Sequence, residues 1–356
     1  MRTRLAATMA ALLVATMGFV APARAGTGYT VIDLGTLGGR FSAAYGINDA
    51  GQVAGLAQLA DGTFDAFVWS PATGTMQPLG FGPTTSGNVS AQGIDDTGRV
   101  VGYGPAGASY RRALVWDPVN GVQVLQALGG PSADAAAVDA TGGVTGTSYL
   151  PDGATQHAFW SAGPGTSAVD LGTLSGPVSV ATAINASGQV AGTSHWAATP
   201  DAQAFERHAF LYTSGTMTDL GAFPGQCCGQ LPSAAAYGIN DAGQVVGMSS
   251  SGTQMWQRAF MWQPSTGLVD LGWLPDQKGK KHSWAQDINN ASQVVGISNG
   301  RAFLWKAGVG MLDLNALISK RSGWVLERAY AINDAGWIVG MGQSHQRTHA
   351  FLLIPN

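Results

Sequence analysis

The sequence predicts an all-β protein, a seven-bladed β-propeller of four-stranded blades closed by its own N-terminal strand. Three observations lead there. First, a block of short apolar runs separated by turn residues recurs along the chain. Its fullest copy, from Ala235 to Gly272, reads AAYGINDAGQVVGMSSSGTQMWQRAFMWQPSTGLVDLG. Second, the copies recur with a period in the forties, which is the spacing of propeller blades built from four short strands. Third, the two ends of the chain are mismatched by one strand in a complementary way.

The period is read from the end of the first run in each copy. These runs end at Asn48, Asp95, Asp139, Asn185, Asn240, Asn289 and Asn333, with spacings of 47, 44, 46, 55, 49 and 44 residues. The runs alternate or stay apolar over a few residues, as strands do, and no 3.6-residue period is present. In the fifth copy, strand a is Ala235 to Asn240. Asp241-Ala242-Gly243 forms a tight turn, in which Gly243 is free to take positive φ. Strand b is Gln244 to Met248, strand c is Arg258 to Trp262, and strand d is Leu268 to Leu271 after the turn at Pro264-Ser265-Thr266-Gly267. Strand a is rich in Ala and Gly, as a crowded position near a propeller axis requires. Phe260 and Trp262 have the bulk to fill the wider spaces between blades.

The ends supply the closure. The last copy, AYAINDAGWIVG followed by HAFLLIPN, stops at strand c. The chain downstream of Ala25 begins with an orphan d-strand, Thr30 to Gly35. The expectation is that this strand pairs with His349 to Leu353, because an unfinished blade would expose a sheet edge.

Composition agrees. Charged residues are 11% of the 356 and glycines number 51, against about 25% and about 7% in average proteins. A net charge of −3 gives no reason to expect nucleic acid or an anionic membrane as partner. Arg2 and Arg4, the apolar run Leu5 to Val20 and the small-x-small site Ala23-Arg24-Ala25 read as a secretory signal peptide over 1–25. The remainder, 26–356, is expected to be one propeller, secreted to periplasm or medium, without a membrane span and monomeric. Ile354-Pro355-Asn356 leaves no sorting tail in this reading.

GINDAGQVVG, followed by His-Ala-Phe strands and Asp-Leu-Gly, resembles the HAF-repeat family of bacterial extracellular proteins. The signature stands at His157-Ala158-Phe159, His208-Ala209-Phe210 and His349-Ala350-Phe351. The other copies depart from it, at Asp65-Ala66-Phe67, Arg112-Ala113-Leu114, Arg258-Ala259-Phe260 and Arg301-Ala302-Phe303. The resemblance implies secretion and a propeller-like repeat. It carries over no activity and no catalytic residue.

Repeated residues read as scaffold. The HAF histidines are spread around a ring and are expected to form structural hydrogen bonds, with no metal and no cofactor. The repeated Asn/Asp pairs lack calcium-loop spacing and are expected to make Asx turns. Cys227 and Cys228 are adjacent in a long loop, and a vicinal disulfide is the expectation for an exported chain. Glu206 and Glu327 are the only glutamates. Placed in long loops, they would offer an alternative function, a secreted glycoside hydrolase.

The b–c and d–a connections vary in length, and function on a rigid scaffold concentrates in such loops. On this face the sequence places Trp273, Lys278, Lys280, Lys281, His282, Trp284, Lys320, Arg321 and Trp324, with Trp196 and Trp256 in other long connections. Cations and indoles together suit an extracellular glycan or protein partner. The expected function is therefore non-catalytic binding through the long-loop face, by a patch drawn from the fifth, sixth and seventh copies.

Overall fold

The computed structural model describes residues 28–85, 88–107, 109–196, 206–224, 232–251, 256–276, 279 and 281–356. The expected leader at 1–25, Cys227, Cys228, Lys278 and Lys280 lie outside the described residues. The fold is all-β, with 59% strand and 1% helix. Among the described residues, no helix is long and apolar enough to cross a membrane.

Each copy forms an up-and-down antiparallel meander. In the fifth, the strands are Ser233–Ile239, Val245–Ser251, Trp256–Gln263 and Gly267–Asp270. The first turn closes through Asn240, whose N–H donates to the Gln244 carbonyl at 3.1 Å. Gly243 supplies the left-handed residue at φ 73°. Three copies stand as separate four-stranded sheets, and the other strands form two eight-stranded sheets. Each larger sheet joins two meanders by one parallel pairing, Arg207 with Ser233 and Phe41 with Thr348.

The first described strand, Tyr29–Asp33, pairs antiparallel with the last, Arg347–Pro355, with Val31 opposite Leu353 and Asp33 opposite Phe351. The same Asp-to-Phe register joins strands c and d within single copies: Asp170 with Phe159, Asp219 with Phe210, Asp270 with Phe260 and Asp313 with Phe303. The N-terminal strand thus stands to the seventh copy as strand d stands to the others. Ser42 clips this junction, donating to the Gly35 carbonyl at 2.5 Å and accepting from the Ala350 N–H at 2.8 Å. Ser179 and Ser283 make the same clip at other junctions.

The core repeats with the chain. Phe67, Phe159, Phe210, Phe260, Phe303 and Phe351 are fully buried. Strand b carries a glycine beside these rings. A Cβ at Gly192 would run into the Val180 carbonyl oxygen and the Phe210 ring, and one at Gly340 into the Arg328 carbonyl oxygen and the Phe351 ring. This close approach explains the glycine of the Val-x-Gly runs.

The first strands come together around one central cavity of about 410 Å³. Each of the seven carries a β-bulge, skipping Tyr45, Gln92, Ala136, Thr182, Tyr237, Gln286 or Tyr330 in its register. A bulge re-aims the extra residue, and all seven line the cavity. Two residues further along each strand lies an aliphatic layer of six isoleucines and Val138, followed by the Asn/Asp positions.

Those Asn/Asp positions do more than the Asx turns expected of them. Within a copy, the Asn48 Oδ1 accepts from the Gln52 N–H at 2.8 Å. Between copies, Asn side-chain amides donate to the next copy's carbonyl: Asn185 to Asn240, Asn240 to Asn289, Asn289 to Asn333, Asn333 to Asn48 and Asn48 to Asp95. Asp95 and Asp139 have no amide N–H to donate, so the ladder stops at those two copies.

Candidate functional site

The HAF histidines occupy one structural role. His157 Nδ1 lies 2.8 Å from Asp170, His208 Nδ1 2.8 Å from Asp219, and His349 Nδ1 3.0 Å from Asp33. Arginine replaces histidine in the fifth and sixth copies, and Arg258 and Arg301 reach Asp270 and Asp313 in the same way. Strand d lacks aspartate in the first two copies, where Pro78 and Val124 stand, and strand c there carries Asp65 and Arg112. Cation and carboxylate thus form a c–d tie, and the tie at Asp33 and His349 spans 316 residues of sequence.

On the long-loop side, Trp256, Arg258, Trp273 and Lys281 form one cluster. The Arg258 guanidinium lies 4.1 Å from the centre of the Trp273 ring, and the Lys281 ammonium lies 4.3 Å from Trp256 and 5.4 Å from Trp273. Such contacts contribute roughly 0.5–1 kcal/mol at exposed sites. The sequence led to Trp273 and Lys281 as groups suited to a glycan or protein partner. In the structure the indoles of Trp256 and Trp273 pack against the protein's own cations. Arg258 was passed over because its place in the repeat marked it as scaffold.

His282 and Trp284 line a neighbouring cavity of about 410 Å³ together with Gln257, Asn299 and Arg328. Trp284 Nε1 donates to the Gln257 Oε1 at 2.8 Å. Trp284 belongs to the strand Ser283–Ile288. Trp324 opens Trp324–Ile332 and, half-buried, packs edge-on against Phe351 at 6.0 Å. Lys320 and Arg321 are exposed in the turn before it.

The expectation that both glutamates sit in long loops is corrected. Glu206 begins the strand Glu206–Thr213, which extends past the HAF triplet by pairing with Trp196. Glu327 is a bulge residue inside Trp324–Ile332. Glu206 is also engaged, lying 3.1 Å from His208 Nε2. Trp196 stacks on the same imidazole at 4.7 Å and 8°. Burial of His208 acts to lower its pKa. Hydrogen bonds and charge from Asp219 and Glu206 outweigh burial and raise it above the ordinary value. Among the described residues, no group of three or more metal-ligating side chains is placed to hold an ion.

No protein-family model and no curated protein sequence matches the chain. Solved structures do. The β-propeller domain of the trilobed protease from Pyrococcus furiosus, described as having an open velcro topology, superposes with a TM-score of 0.55 at 7% identity. That match covers 88% of this chain and 93% of the other. TolB from Acinetobacter baumannii gives a TM-score of 0.39 at 8% identity, over 86% of this chain and 80% of that one. An α-L-arabinanase from Penicillium chrysogenum gives 0.40 at 10%, over 91% and 97%. The first likeness shows a propeller-like fold, and the other two superpose too loosely to add to it.

Proposed function

We propose that this chain is a secreted seven-bladed β-propeller of the HAF-repeat type, completed by its N-terminal strand, that binds an extracellular glycan or protein without catalysis. The binding surface is the long-loop face of the fifth and sixth blades, reaching Arg328 of the seventh. The observation that supports it most is the cluster of Trp256, Arg258, Trp273 and Lys281 beside the cavity of His282, Trp284 and Arg328. Held over indole rings, the two cations lose little side-chain freedom on binding, which favours affinity. Arg258 is already tied to Asp270, so it is the Lys281 ammonium whose charge suits carboxylate or sulfate groups on the partner, and salt weakens such binding.

A glycan array on wild type, Lys281→Ala and Trp284→Ala tests the reading. The expected result is binding to an acidic glycan that either substitution weakens and that added salt weakens further. Equal binding by all three proteins excludes this face. Wild type that captures no glycan moves the partner to a protein. Reducing-sugar release that Glu206→Gln abolishes would replace binding by hydrolysis.

A further inference from the structure

The seven bulged residues around the central cavity are unlike one another. Three are tyrosines, Tyr237, Tyr330 and Tyr45, from the fifth, seventh and first copies. Tyr330 and Tyr45 meet edge to face at 5.0 Å. The sixth copy lies between Tyr237 and Tyr330 and departs from the repeat at the next position. There it has Asp287, where the other six copies carry Gly46, Gly93, Ala137, Ala183, Gly238 and Ala331. The opposite half of the cavity has Gln92, Ala136 and Thr182. One half is therefore aromatic and holds a carboxyl, and the other half is left open by small or neutral side chains.

In a repeat protein, recurring residues are explained by the scaffold. Asp287 has no recurring counterpart, and its neighbours accommodate it: a Cβ at Gly238 would meet the Asp287 Cα. Its carboxylate accepts the Ile288 N–H at 2.8 Å and the Ile332 N–H at 2.9 Å. These two bonds leave sites on both oxygens free, and the group can accept from a hydroxyl in the cavity or, when protonated, donate to one.

We propose that this axial cup binds one uncharged sugar ring. Tyrosine faces pack on the C–H face of a sugar, and their hydroxyls, Gln286 and the remaining sites of Asp287 match its hydroxyl groups, while Thr182 Oγ1, which donates to the Ala236 carbonyl at 3.0 Å, is left to accept. The aliphatic layer of Ile and Val residues lines the cup on the side of the short turns. The surrounding charges are mixed. Arg328 acts on Tyr45 and Tyr330 from the aromatic side, and Asp334 acts on Asp287. Arg328 opposes a bound cation and Asp334 a bound anion, which leaves a neutral polyol favoured. At about 410 Å³, the cavity lies near the small end of ligand sites. This site uses no residue of the Trp256–Lys281 cluster and does not rest on it.

The repeat supplies its own test variants. Thr182→Tyr and Ala136→Tyr place in the open half a residue that three copies already carry at the same bulge. Asp287→Ala restores what the other copies carry. Calorimetric titrations use glucose, galactose, mannose, arabinose and N-acetylglucosamine, with choline as the cationic probe. At least one sugar is expected to bind wild type, independently of salt. Each of the three variants should weaken that sugar by tenfold or more, while Lys281→Ala binds it as wild type does. The proposal is overturned if none of the five sugars binds wild type, if both filling variants bind as well as wild type, or if choline binds and the sugars do not. A Lys281→Ala result that changes acidic-glycan capture but not this titration separates the cup from the long-loop face.

Discussion

Replacing Asp287 by alanine should change stability with a sign that depends on pH. Burial of the carboxyl is the main cause of its shift, against the Ile332 and Ile288 N–H groups that favour ionisation, and it pushes the pKa from 3.8 to about 7. The folded state thus holds a proton that the unfolded chain has released between about pH 4 and 7. The stability tied to that proton is present below the unfolded pKa and is lost as pH rises through the folded one. Three units at 1.36 kcal/mol each give a ceiling of about 4 kcal/mol. Alanine removes this term and also removes the two hydrogen bonds, worth roughly 1–3 kcal/mol together. Near pH 4 the variant should be less stable than wild type by roughly that amount. Above pH 7 it should be equal or more stable. Urea midpoints for both proteins across this range give the difference curve. A difference that stays constant with pH would refute the reasoning, because it would mean that Asp287 titrates alike in the folded and unfolded chains.

Three further outcomes are expected. Gly192→Ala should destabilise by at least about 2 kcal/mol in thermal unfolding, because the obstructing Val180 oxygen is backbone and cannot step aside. Gly62→Ala should cost only about 1–2 kcal/mol, since φ is 88° but nothing lies within reach of the added carbon. His208→Gln should destabilise most at acidic pH. The raised pKa of His208 gives stability that is whole below its unfolded value near 6.5 and fades as pH climbs through the folded value. A stability difference between His208→Gln and wild type that grows toward alkaline pH would reverse that sign.

Much of the fold was legible because it is written several times. The turn Asn240-Asp241-Ala242-Gly243 and the fully buried Phe260 recur, so a local pattern could be checked against its own copies. The pairing of Val31 with Leu353 followed from counting strands, since one surplus and one deficit have one economical solution. The site was less legible for the same reason. Arg258 looked like scaffold because a cation recurs there, yet it also covers Trp273. Trp324 looked like surface because it precedes the recognisable strand, yet it packs on Phe351. Glu206 and Glu327 lie in strands that outrun the repeat consensus, one extended by pairing with Trp196 and one carried on a bulge. The axial cup was hidden by β-bulges, which shift a side chain by one place in a strand whose ordinary period is two. Tyr45, Tyr237 and Tyr330 therefore read as part of a small-residue run.

The proposed closure rests on the pairing of the N-terminal strand with the seventh copy, and hydrogen exchange tests it most directly. The chain lacking residues 28–35 is compared with the full chain, with and without a peptide of sequence GYTVIDLG added in trans. A strand lost from a sheet can be replaced by an added one. The expected result is strong protection of 347–355 in the full chain, loss of that protection on deletion and its return with the peptide. Protection of 347–355 that survives the deletion unchanged would contradict the closure.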